Sequence, residues 1–135
     1  MEDIILNPFI VVFKQMTRIN CVDVKILSRQ HLLAEYRELP RVYGLVSKSK
    51  TGRKIPPNYT MGTGHVLFFY NKIGWIKARH KQLIDEMIRR GYTPTFTTVP
   101  EIQTHDQGWT PRGEDMEINL KRLRERDPSF YGGYK

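Results

Sequence analysis

Apolar positions along the chain fall into three stretches with helical spacing, separated by segments that break it. Leu32, Tyr36, Leu39, Tyr43 and Val46 recur at steps of three and four, which lays a buried stripe along one face of a helix. Ser28 stands just ahead as a natural N-cap, so the spacing predicts a first helix from about Arg29 to Lys48. A second helix is expected from His65 to Arg90, capped by Thr63, with Val66, Phe69, Tyr70, Ile73, Ile76, Leu83, Ile84 and Met87 inward. Gly91 ends it as the left-handed residue. Thr110-Pro111 opens a third helix, where Glu114, Asp115 and Glu117 suit the positive helix start and Met116, Leu120 and Leu123 face inward, up to Pro128.

Between these stretches the pattern changes. Val22, Val24 and Ile26 alternate, so residues 17–27 read as extended. Residues 47–57 form a lysine- and arginine-rich loop closed by Pro56-Pro57, and residues 92–109, rich in threonine, show no period. The expected fold is all-α: a single domain of three main helices with long irregular loops.

The first fifteen residues stand apart. Ile4-Ile5-Leu6, a break at Asn7-Pro8 and Phe9-Ile10-Val11-Val12-Phe13 follow an acidic Glu2-Asp3 start. That is neither a secretory signal, which begins basic, nor an apolar run long enough to span a membrane. Residues 1–16 are expected to be an extension, a mis-assigned start or removable leader, and residues 17–135 the working domain.

Composition narrows the partner. Lys and Arg outnumber Asp and Glu 22 to 14 in 135 residues, and the excess rises to +9 beyond residue 16. Such a balance favours nucleic acid over membrane, because no helix pairs a basic face with a wholly apolar one. Cys21 is the only cysteine, which excludes a disulfide framework and suits a reducing cytoplasm, or a host cytoplasm or nucleoid if the source is viral. The four histidines show no zinc spacing, so metal-free chemistry without a nucleotide cofactor is expected.

The first helix also carries the candidate chemistry. At about 100° per residue, His31, Glu35 and Glu38 line one edge of its stripe, and Arg41 and Arg37 follow round the circumference. A solvated face laced with ion pairs is the plain alternative. Against it, Glu35 and Glu38 repel at a spacing of three and Pro40 forfeits a backbone hydrogen bond, which points to a helix shaped for a site. Lys121, Arg122, Arg124 and Arg126 crowd the end of the third helix beyond the needs of capping, and Phe130 and Tyr131 bring aromatic rings beside them, suited to stacking on bases or equally to packing on the core.

Met16-Thr17-Arg18-Ile19-Asn20, then His31-Leu32-x-Ala34-Glu35-Tyr36-Arg37-Glu38-Leu39-Pro40-Arg41-Val42, closely resembles the phage-type pyrimidine-dimer DNA glycosylases and abasic-site lyases. Gly64-His65-Val66-x-Phe68-Phe69-Tyr70 and Arg90-Gly91-Tyr92 continue the likeness over roughly residues 16 to 131. The resemblance implies a monomer acting on double-stranded, ultraviolet-damaged DNA, which it kinks while flipping out a nucleotide. The same resemblance makes the α-amine of Thr17 the nucleophile, through an imine, and Glu38 the catalytic carboxylate. Arg18, His31, Glu35, Arg37 and Arg41 match positions that hold phosphates or shape the lesion pocket. A free α-amine suits that task because its pKa lies near 8 rather than about 10.4 for lysine.

Two departures qualify the likeness. The family's tail carries a run of aromatics with a lysine, two positions of which are Gly132 and Gly133 here, and Phe130 stands where a larger ring is usual, which touches dimer selectivity more than lyase chemistry. The fifteen residues before Met16 would bury the amine in a peptide bond. The alternative function is therefore a non-catalytic damaged-DNA binding module; a metal-dependent nuclease lacks ligands.

Overall fold

A computed structural model describes residues 18–48, 54–101 and 106–133. Thr17, the extension before it and residues 49–53 of the basic loop lie outside these residues. Among those described there are helices and no strand, so the all-α, single-domain expectation holds. Each of the three expected helical stretches contains a helix, but two are interrupted.

The first is cut at Pro40 into α1 (Arg29–Glu38) and α2 (Arg41–Lys48). Pro40 has no N–H, and its ring clashes with the carbonyl four residues back. The chain crosses the break on shorter steps, Val42 N–H to Leu39 O at 3.0 Å and Tyr43 N–H to Pro40 O at 3.1 Å. Leu32, Leu39 and Tyr43 of the expected stripe are buried, and Tyr36 and Val46 partly so.

The second stretch is shorter than expected. His65 sits in a turn, Leu67–Asn71 is a 3₁₀ helix, and α3 (Ile73–Arg89) starts only after Lys72 breaks the helical backbone at φ −129°, ψ 41°. The cause is local: the buried Lys72 ammonium donates to Phe68 O at 3.1 Å, an acceptor that a continuous helix would have used, and is held there by the Asn71 side-chain Oδ1 at 2.7 Å. Gly91, at φ +89°, closes α3 as the spacing required, with Tyr92 N–H reaching Met87 O at 2.9 Å.

The third helix, α4 (Gly113–Arg126), begins later than Thr110; Asp115 Oδ2 accepts the Arg112 N–H at 2.9 Å. Met116 is 39% exposed rather than inward, because Asp115 and Asn119 occupy the buried face with Leu120 and Leu123. After Asp127 a single turn, α5 (Pro128–Tyr131), folds Tyr131 into the core. The expected extended stretch forms no strand: Val24–Ile26 is a 3₁₀ turn, and Val22 and Val24 are buried.

The core joins Leu32, Leu39 and Val42 to Phe68, Phe69, Ile76, Leu83 and Met87, with Leu123 and Tyr131 closing one end. Trp75 and Trp109 pack around Phe69 at 5.4 and 5.7 Å between ring centroids. No helix among the described residues is long and apolar enough to cross a membrane.

Candidate active site

A pocket of about 600 Å³ opens between α1 and the C-terminal half of α4. Arg18, His31, Arg37 and Glu38 line it together with Arg122 and Arg126, while Asn20 and Glu35 form its inner wall. Helical spacing explains the grouping: residues 31, 35 and 38 share one edge of α1, and 122 and 126 lie one turn apart on α4.

The cations set the character of the site. Burial pushes the Arg18 guanidinium below its ordinary pKa, and the fields of Arg122 and Arg126 push the same way, partly opposed by Tyr59. Arginine still keeps its proton, so three mutually repelling guanidinium groups converge on one cavity. An anion entering it would relieve that repulsion.

Glu38 is the last residue of α1 and Arg41 the first of α2, so the break at Pro40 brings them together; Arg41 Nη1 donates to Glu38 Oε1 at 3.0 Å. The pair is substantially exposed, which makes it a positioning contact of small stabilising worth. Arg41 touches Glu38 without lining the pocket.

Glu35 is turned inward. Its side chain is 1% exposed and paired with Arg79, itself 2% exposed, at 2.8 Å from Nε to Oε2. Asn20 Nδ2 donates to Glu35 Oε1 at 2.8 Å, and Asn119 Nδ2 to Asn20 Oδ1 at 2.7 Å. Arg79 Nη1 also donates to Val22 O, so this charge pair ties the lead-in segment to α3. Arg79 and Asn119 escaped notice in the sequence, although each sits on the apolar face of its helix, where a polar residue must find a buried partner.

His31 is held at one nitrogen. Tyr131 Oη accepts the Ser28 N–H at 2.8 Å and lies 2.7 Å from His31 Nδ1. Ser28 Oγ also lies 3.1 Å from Nδ1, so two hydroxyls hold that nitrogen and Nε2 is the one left to a ring that lines the pocket. Burial lowers the His31 pKa, Asp127 and Glu35 raise it, and Arg126 lowers it again, with a net downward shift that keeps the ring neutral. Ser28 caps α1 as expected, accepting the His31 N–H at 3.2 Å.

The remaining sequence candidates divide. Tyr131 is fully buried and serves His31 from inside, whereas Phe130 is 45% exposed and packs edge-on against it at 4.8 Å. Lys121 is exposed and outside the pocket lining; Arg122 and Arg126 from the same basic run line it instead. Arg37 is exposed at the pocket. Among the described residues no three His, Cys, Asp or Glu side chains converge to hold a metal ion. A family model described as pyrimidine dimer DNA glycosylase matches residues 16–98.

Proposed function

Since the chain belongs to the pyrimidine dimer DNA glycosylase family, and its substrate is accordingly DNA, we propose that it excises the damaged base and then cuts the abasic strand through an imine on the α-amine of Thr17. The nitrogen lone pair attacks C1′, the glycosidic bond breaks with its electrons leaving on the base, and a proton passes to the departing base. O4′ then leaves C1′, taking a proton from solvent, and the opened sugar is an iminium, which acidifies C2′–H. Glu38 stabilises the positive sugar in the first step and takes that proton in the second, whereupon the C3′–O bond breaks and the phosphate leaves. Water then hydrolyses the imine and frees the amine.

The observation that supports this reading best is the pocket itself, where the Glu38 and Asp127 carboxylates meet several guanidinium groups, among them that of Arg18, the residue that follows Thr17. Arg18, Arg37, Arg122 and Arg126 would hold the phosphates that flank a flipped nucleotide. The neutral His31 would present Nε2 to the lesion or its sugar, and Arg41 would orient Glu38. The nucleophile exists only in a chain that begins at Thr17, so the active form carries no residues ahead of it. The lesion in this reading is a pyrimidine dimer, held with less aromatic help from the tail because Gly132 and Gly133 stand there.

Borohydride trapping on an abasic duplex, with EDTA present, tests the chemistry. A covalent adduct whose peptide map ends at Thr17 is expected. Tight binding without an adduct would instead favour a non-catalytic damaged-DNA module, and cutting that EDTA abolishes would point to a metal nuclease. Intact mass of the protein from its natural source reads the start residue, and robust trapping by a verified chain from Met1 would overturn the requirement for a terminal Thr17.

A further inference from the structure

Residues 18–28, which lead into α1, hold no regular structure beyond the 3₁₀ turn Val24–Ile26, yet their backbone is gripped by buried side chains from elsewhere in the fold. Asn119 Oδ1 accepts the N–H groups of Cys21 at 2.7 Å and Val22 at 3.1 Å. Ile19 is gripped at both of its backbone polar groups, and its side chain is fully buried. Its N–H donates to His65 Nε2 at 2.8 Å, and its carbonyl accepts from Tyr59 Oη at 3.0 Å. His65 is fixed in the required tautomer, because Nδ1 lies 2.6 Å from Thr60 O and must donate to it. Tyr59 meets the His65 ring edge-on at 5.7 Å, so the two jaws support each other.

We propose that His65 and Tyr59 are positioning residues for the reaction: by holding both polar groups of Ile19, they fix Arg18 at the pocket and restrict where the amine two residues upstream can reach. The role rests on the Thr17 reading above. Two residues span at most about 7 Å, so an immobile Ile19 confines the nucleophile to a small volume beside Arg18. A nucleophile confined in this way needs no further ordering before it attacks, and a displacement of about 1 Å can cost on the order of a hundredfold in rate. Neither side chain lines the pocket, which separates this role from substrate contact.

The test uses the protein as its natural host makes it, with the first residue read by intact mass, in single-turnover borohydride trapping on an abasic duplex. The dissociation constant for the same duplex is measured alongside. His65→Asn keeps a group near Thr60 O but is too short to accept from Ile19, whereas His65→Gln places an amide oxygen near the lost Nε2. Tyr59→Phe keeps the ring and removes only the hydroxyl, so it carries the test even if His65→Asn fails to fold. His65→Asn and Tyr59→Phe are expected to slow trapping by about ten- to a hundredfold with affinity changed less than about threefold, and His65→Gln to recover most of the rate. Trapping at the wild-type rate by both slow candidates would overturn the proposal, as would a Gln variant as slow as Asn, or rate losses matched by equal losses of affinity. If the wild-type protein itself gives no adduct, the Thr17 reading falls and takes the proposal with it; adducts formed equally fast by wild type and all variants sink the clamp alone.

Discussion

Glu38 illustrates how a single proline shapes a site. As the last residue of α1, it leaves the helix where Pro40 interrupts the backbone ladder, and the turn that follows places Arg41 within 3.0 Å of its carboxylate. Glu35, one turn earlier on the same edge, is instead consumed by Arg79 and Asn20. Two glutamates three residues apart therefore differ in availability, and of the two only Glu38 keeps a partly exposed carboxylate at the pocket. Glu38→Gln preserves shape and removes both the charge and the proton transfer. Base excision is expected to fall by about a hundredfold or more, in the range general acid–base catalysis supplies, while affinity for damaged duplex stays within a few fold. Gel-shift titration alongside single-turnover excision separates the two; equal losses in both would make Glu38 a structural residue.

At the scale of elements, the lead-in segment takes backbone hydrogen bonds from distant side chains, His65 among them, and this makes part of the stability acid-labile. Burial is the largest cause holding His65 at about 4, with Arg18 and Arg122 pushing the same way against the Thr60 hydrogen bond. An imidazole that titrates near 6.5 in the unfolded chain and at about 4 in the fold makes the unfolded state take up a proton that the native state refuses. Stability should be flat in this group above pH 6.5 and fall by about 3 kcal/mol on acidification to pH 4. His31 and His80, also shifted downward by burial, add to the fall. Urea unfolding at pH 7, 5.5 and 4 measures it, and His65→Gln, which cannot titrate, should flatten the curve; an unchanged slope would remove His65 from the account. The same segment shows where the sequence was and was not legible. Helical periodicity reports one face of one element, and it located the buried residues of α1 and α3, the Ser28 cap and the Gly91 stop. It carries no information on polar contacts between distant segments, so Val22, Val24 and Ile26 suggested a strand when side chains of Arg79, Asn119 and Arg90 supply the hydrogen bonds a partner strand would have made. The edge of α1 that lines the pocket was visible in the spacing of residues 31, 35 and 38. The inward turn of Glu35 was not, because its partner lies 44 residues away.

At the scale of the whole molecule, the net charge of +8 is less informative than its distribution. Several acids are occupied by neighbouring cations away from the pocket: Glu86 by Arg89 and Arg90, Asp85 by Lys81, Glu101 by Lys77. Within the pocket wall Glu35 is neutralised by Arg79, so Arg18, Arg37, Arg122 and Arg126 share the pocket with the Glu38 and Asp127 carboxylates, and Arg122 also pairs with Glu125 at 3.7 Å. A polyanion meeting that face releases condensed counterions in proportion to the phosphates it places there. If each of the four arginines neutralises one phosphate, the logarithm of the affinity should fall with the logarithm of salt at a slope of about −3.6, a loss of roughly 150-fold between 50 and 200 mM. Arg37→Ala should shallow the slope by about one unit and weaken binding to damaged and undamaged duplex alike, because a phosphate contact carries no sequence or lesion information. Lys81→Ala, on an exposed face of α3 and paired with Asp85, should leave the slope unchanged. Fluorescence anisotropy over that salt range reads all three slopes. A flat dependence in the wild type, or a slope that responds to Lys81 and not to Arg37, would move the DNA to another face of the protein.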